Sequence, residues 1–181
     1  ALFRAVLPWL ARRGLLLPLG GTSNHFRRSA LEAVGGWDPY NVTEDADLGA
    51  RLHRYGYRAD VICNPTQEDA PTDIRTWVPQ RTRWFKGWVQ TWLVHMRDPA
   101  ATAREIGLLS FIVMQVLFAG MVFSALAYSV FWATALGIGI HWYLGGEFRP
   151  TESILLLVDV LNVALGHVAF LLLGWSALQK T

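Results

Sequence analysis

Residues 106–144 contain no aspartate, glutamate, lysine or arginine, and this one run restricts the chain more than any other feature. About 39 residues are available where a bilayer crossing takes about 20. One crossing plus a segment at the lipid interface is the predicted arrangement. A hairpin of two crossings needs a turn, for which Gly120 alone is poor, whereas Gly137 and Gly139 with His141, Trp142 and Tyr143 read as an interfacial end. Gly145-Gly146-Glu147-Phe148-Arg149-Pro150 then forms the external loop, and residues 153–178 make a second crossing. That crossing carries Asp159, Asn162 and His167. Polar groups at membrane depth are costly against lipid, so they are expected to face other helices or a polar path, although their spacings of three and five make no single stripe. Arg97 and Arg104 before the first crossing and Lys180 after the second place the N-terminal part on the cytosolic side.

Composition narrows the class further. The 52% hydrophobic content and nine tryptophans exceed the roughly 45–50% apolar share of soluble domains, and the excess lies after residue 105. A net charge of only +2 gives no support for a nucleic-acid partner, even though basic residues gather between 75 and 104. The single cysteine, Cys63, has no intramolecular partner and reads as a small half-buried residue in a reducing compartment. Leu15-Leu16-Leu17-Pro18-Leu19 is too short, and lacks the cleavage site, for a signal peptide. No internal repeat or low-complexity segment is present.

The part before residue 106 alternates helix and strand signals. Residues 3–10 have the pattern of an amphipathic helix at lipid headgroups. Gly20 and Gly21 permit close backbone approach and lead into Thr22-Ser23-Asn24-His25. A short helix follows over residues 28–34, stopped by Gly35-Gly36. After the turn-forming Trp37-Asp38-Pro39-Tyr40-Asn41, Thr43 caps a helix that runs to about Tyr55 and ends at Gly56. Tyr57, Ala59 and Val61 alternate with Arg58, Asp60 and Ile62, which predicts a strand closed by Asn64-Pro65. This helix–strand succession predicts an α/β domain. Thr72 or Asp73 then caps a helix over residues 74–96, kinked or divided at Pro79. On it, positions 80, 83, 84, 87 and 91 share one face, so Gln80, Arg83 and Trp84 converge. Trp88, Trp92 and His95 flank that face, and Arg81, Lys86 and Arg97 spread over the others, as on a helix at the lipid–water boundary.

Two short blocks point to chemistry. Glu44 and Asp45 at a helix start supply a carboxylate able to take a proton from a hydroxyl; in isolation the favoured reading is that Glu44, Asp45 and Asp47 only complement the positive helix end, and it is the accompanying motifs that reverse this. Gln80, Arg83 and Trp84 can grip a phosphate and a sugar ring; alone, they would equally be an interfacial helix meeting lipid. Four segments occur in order: residues 19–26 (Leu-Gly-Gly-Thr-Ser-Asn-His-Phe), Gly35-Gly36-Trp37-Asp38, Thr43-Glu44-Asp45-Ala46-Asp47, and Gln80-Arg81-Thr82-Arg83-Trp84. Together they resemble the second half of a membrane-integrated family 2 glycosyltransferase, the group of cellulose, chitin and hyaluronan synthases. The resemblance covers about residues 15–98.

That resemblance implies a partial GT-A, Rossmann-like α/β catalytic domain over residues 1–71, an interface helix region with the Gln-x-x-Arg-Trp motif over 72–105, and transmembrane helices over 106–181. It assigns Asp45 as general base of an inverting displacement with Glu44 supporting it, Gln80 and Arg83 to the pyrophosphate, and Trp84 to the terminal acceptor sugar. Gly21, Thr22 and His25, with Asn24, fall in its acceptor-lining loop, although a lone histidine such as His25 is more often structural. It further implies a nucleotide-sugar donor, a polysaccharide or lipid-linked acceptor, and a multi-pass position in the plasma (inner) membrane with the catalytic part cytoplasmic. Mg²⁺ or Mn²⁺ is implied too, its aspartate ligands and the nucleotide-binding half being expected upstream of Ala1. The reading from another class is a non-catalytic membrane scaffold that keeps the motif helix for docking.

Overall fold

The computed structural model describes residues 2–62, 64, 66, 69–147 and 149–179. The chain divides into two compact units, one made of Leu2 and Val6–Met121 and the other of Phe3–Ala5 and the residues from Val122 onward, so that the turn at the chain start is shared between them.

The first unit is built from short helices. A π-helical turn, Leu2–Val6, leads into α1 (Leu7–Arg12). Leu7 and Leu10 are buried, together with Leu15 and Leu17, and half-buried Ala59 and Val61 pack on the same cluster. Leu7 and Leu10 thus face the protein interior, while Trp9 stays 43% exposed. Next come α2 (Arg28–Ala33) and α3 (Glu44–Arg54). α3 lies so close to residues 17–19 that a Cβ on Gly49 would collide with the Leu17 carbonyl and the Leu19 backbone nitrogen. Gly56, at φ 80°, follows its C-cap, Tyr55, in the left-handed conformation that ends helices.

Residues 58–62 keep the period-two burial of a strand, with Ala59 and Val61 turned inward and Arg58, Asp60 and Ile62 outward, whereas Tyr57 is exposed. No β-ladder forms there or elsewhere among the described residues. A strand exists only by pairing, and among the described residues no extended segment pairs with this one. The helical component of the expected α/β fold is thus present without the sheet. The environments expected for Cys63 and Lys180 lie outside the described residues.

α4 (Ile74–His95) begins where Asp73 accepts a hydrogen bond from Thr76 N at 2.9 Å, and it continues through Pro79 as one helix. Asp98 caps α5 (Pro99–Ile106) in the same way, accepting from Ala101 N at 2.9 Å. α6 (Leu108–Met114) passes through a π-helical segment, Gln115–Ala119, into α7 (Gly120–Tyr143), giving one helical run of 36 residues over Leu108–Tyr143. Such a run is about 54 Å long against an apolar bilayer core of about 30 Å. The excess belongs to its first part. Ser110, Met114, Phe118 and Ala119 are buried in the Val6–Met121 unit, and Trp88 and Trp92 pack on the cluster formed by Leu16, Ala46, Ala50, Ile106, Met114 and Phe118. At full burial Leu16, Met114 and Phe118 each contribute about 1.5–3 kcal/mol.

In the second unit, α7 and α8 (Pro150–Leu178) are long and apolar enough to cross a membrane. Pro150 opens α8 earlier than the expected residue 153, and the Glu152 carboxylate accepts from Arg149 N at 3.1 Å. Of the three polar residues within it, Asp159 is buried, whereas Asn162 and His167 are exposed.

Candidate active site

Asn41 organises the turn that precedes α3. Its Oδ1 accepts from Thr43 N at 3.1 Å, while its Nδ2 donates to Thr91 Oγ1 on α4 at 2.9 Å, both ends of the second bond being buried. Gln90 Nε2 adds a bond to Tyr40 O at 3.0 Å. Thr43 itself does not cap α3 with its side chain. It faces α4, where a Cβ on Gly87 would fall 2.5 Å from both Cγ2 and Oγ1 of Thr43. Only glycine permits that approach.

Two turns beyond Gly87 on α4, His95 Nε2 lies 3.2 Å from Asp47 Oδ1, and Arg51 Nε donates to Asp47 Oδ2 at 2.7 Å. Arg54 Nη1, which has no acceptor capacity, is 3.1 Å from His95 Nδ1. Nδ1 must therefore accept, which leaves the proton on Nε2, directed at Asp47. Burial alone would push the Asp47 carboxyl up, but the hydrogen bonds from His95 and Arg51 outweigh it and hold the group below the usual carboxylate range. Positions 87, 91 and 95, at helical four-residue intervals, thus clamp α4 to the start of α3.

Asp45 stands in the first turn of α3. Its Oδ1 accepts from Ala46 N at 2.8 Å, and a Cβ on Gly21 would lie 3.3 Å from its Oδ2, so the glycine loop runs against the carboxylate. Burial raises this carboxyl above its ordinary range, adjacent Glu44 pushes the same way, and the Ala46 N–H opposes them. Within the loop, Asn24 Nδ2 donates to Gly20 O, Ser23 is left-handed at φ 55°, and Thr22 and His25 are exposed.

Beyond the clamp the same α4 stripe continues toward the helix start. Arg83 and Trp84 sit one turn before Gly87, a distance of about 5.4 Å along the axis, and Gln80 one turn before them. Gln80 Oε1 is enclosed and has no hydrogen-bond partner among the described residues. Trp84 is 40% exposed, and the Arg81 guanidinium lies 4.4 Å from its ring centroid and 5.5 Å from that of Trp77. The structure therefore brings Gly21 to Asp45, and the turn carrying Glu44 and Asp45 to the helix carrying Gln80, Arg83 and Trp84. Among the described residues nothing ties His25 to the carboxylate. Sequence reasoning did not single out Asn41 or Thr91, nor find the parts that Gly87, His95 and Asp47 play. The available signal was a lone glycine amid the bulky residues of α4.

Among the described residues no three His, Cys, Asp or Glu side chains gather as a divalent cation would require. Asp45 and Glu44 do not by themselves fit the implied Mg²⁺ or Mn²⁺.

The profile of glycosyl transferase family group 2 matches residues 7–176, and the chain belongs to that family. Over 105 residues it is 36% identical to the beta-monoglucosyldiacylglycerol synthase of Synechocystis sp., covering 55% of this chain and 22% of that protein. The protein of the same name from Trichormus variabilis is 36% identical over 77 residues, covering 41% and 16% respectively. The UDP-forming cellulose synthase catalytic subunit of Komagataeibacter sucrofermentans is 33% identical over 75 residues, covering 41% of this chain and 10% of that one. The chain thus spans about a fifth or less of these curated relatives. No solved structure matches it.

Proposed function

We propose that the protein is an inverting hexosyltransferase that moves a sugar from a nucleotide-sugar donor to a polysaccharide or lipid-linked acceptor at the cytosolic membrane face. The observation that supports this reading is the clamp: Gly87, on the helix that carries the Gln-x-x-Arg-Trp motif, packs on Thr43, two residues before a part-buried carboxylate that the Gly21 loop approaches. Two membrane-length helices and relatives that make a glycolipid or cellulose support the setting.

In this reading the acceptor hydroxyl gives its proton to Asp45 as its oxygen bonds to the anomeric carbon. The bond from that carbon to the donor phosphate breaks, and the electron pair leaves on the nucleoside diphosphate. One base and no covalent nucleophile produce inversion. A carboxylate with a raised pKa is a stronger base than an ordinary one, which suits an alcohol substrate. Arg83 meets the charge that grows on the leaving diphosphate, so it stabilises the transition state beyond the ground state. The Gln80 amide N–H donates to the same phosphate, and Trp84 presents its indole to the terminal acceptor sugar. The regions 1–71, 72–105 and 106–181 serve as acceptor and base half, interface helix and membrane anchor.

Asp45→Asn in the intact protein tests the reading. Transfer should fall by about 10²–10⁴ with thermal unfolding unchanged. Undiminished turnover would support instead a membrane scaffold that retains the motif helix.

A further inference from the structure

Trp77 lies seven residues before Trp84 on α4. Seven residues make almost two whole turns, so the two positions point within about 20° of each other, on the stripe that carries Gln80, Gly87 and Thr91. The stripe is buried at Gly87, Thr91 and His95, where α3 covers it, and opens outward at Trp84 and Trp77, which are 40% and 44% exposed. Trp77 also borders an open cavity of about 340 Å³ with Pro71, Thr72, Asp73 and Ile74. Arg81 lies between the two indoles, within cation–π distance of both rings.

From this arrangement we propose that Trp77 and Arg81 form a second acceptor subsite, which binds a sugar ring of the acceptor behind the one held at Trp84. The inference rests on the transferase reading for the orientation of the acceptor. Its chemistry is that of a saccharide surface. Indoles receive the C–H faces of pyranose rings, and the guanidinium between them supplies N–H donors to hydroxyls without requiring a charged ligand. The axial separation of about 10.5 Å corresponds to about two units of an extended β-linked chain, so Trp84 and Trp77 would serve the first and third rings. Arg81 also holds each indole in place, so ordering the subsite costs little side-chain freedom on binding.

The test is direct binding of glucose and of its β-linked dimer and trimer to the intact protein in detergent, for the wild type, Trp77→Ala and Trp77→Phe. In the wild type the third unit should strengthen binding by about two- to twelve-fold, the equivalent of one aromatic stacking contact. Trp77→Ala should abolish that increment without changing monomer binding, and Trp77→Phe should restore part of it. Arg81→Ala should also reduce the increment. A wild type that binds trimer no better than dimer overturns the proposal, as does an increment that survives in Trp77→Ala. Binding does not require Asp45 as a base, so these outcomes are separate from the turnover measured with Asp45→Asn, which alone decides the transferase reading.

Discussion

Substituting Gly87 by alanine perturbs the candidate site without touching any group proposed to meet substrate. The new methyl would lie 2.5 Å from Cγ2 and Oγ1 of Thr43, about an ångström inside ordinary contact, and 2.9 Å from Cβ. Thr43 is buried and cannot swing away. Overpacking of this kind costs about 1–3 kcal/mol, and the better helix propensity of alanine returns about 1 kcal/mol, leaving a net destabilisation of about 0–2 kcal/mol. The effect on turnover should be larger. If α4 backs away by about 1 Å, Arg83 and Trp84 move with it relative to Asp45, and a displacement of that size costs up to about 10²-fold. Gly87→Ala is therefore expected to lose far more kcat than thermal stability. Thr43→Ala, which removes two of the three colliding atoms, should recover part of the loss in the double variant. Turnover and unfolding temperature of the four proteins in the cycle supply the measurement. A single variant with wild-type kcat would show that α4 does not bear on the turn as described, and additive double-variant losses would show that the two residues are not in contact.

Arg83→Lys keeps the charge but loses the two-pronged grip on a diphosphate, so kcat should fall by about 10²–10³-fold while the protein stays folded; an unchanged kcat would remove Arg83 from the leaving-group role. A base works deprotonated, so kcat/KM should rise with pH through the folded pKa of Asp45, which burial and Glu44 both raise. Glu44→Gln removes one of those causes and should move the acid limb to lower pH; a limb that stays put or moves up contradicts the assignment. The folded pKa of Asp47 is depressed, so its contribution is present above the unfolded value of about 3.9 and is lost as pH falls toward the folded value. Acid unfolding measured by tryptophan fluorescence should therefore have less pH dependence in that window for Asp47→Asn, at a cost near neutrality of about 1–3 kcal/mol for the mismatched His95 and Arg51 donors.

The parts legible in the sequence were those set by local chemistry. Thr43 and Gly56 bracket α3, Asp73 starts α4, and the uncharged run after residue 105 becomes membrane-length helix. What was not legible depended on partners. The alternation at residues 58–62 is real, but pairing needs a second strand that a pattern cannot supply. α1 displays a face that would suit lipid equally well, and the leucines at 15 and 17 claim it. The uncharged run extends further into the first unit than a lipid-interface segment would, held by Trp92 Nε1 donating to Gln115 Oε1 at 2.9 Å and by His53 beside Ser110 Oγ at 2.9 Å. In the site, helical periodicity placed Gln80, Arg83 and Trp84 on one face. It did not reveal that this face is anchored through Asn41, whose bond to Thr91 spans fifty positions.

The clamp between α3 and α4 joins a glycine to a threonine, an amide to a hydroxyl and an imidazole to a carboxylate. A greasy seam accepts many shapes of similar volume; a fitted polar one accepts few. Divergence at Asn41 should accordingly be tolerated only with a matching change at Thr91, and at Asp47 only with one at His95. Such coupled pairs would let other parts of the chain drift while the spacing between the turn of Asp45 and the helix of Arg83 is inherited intact.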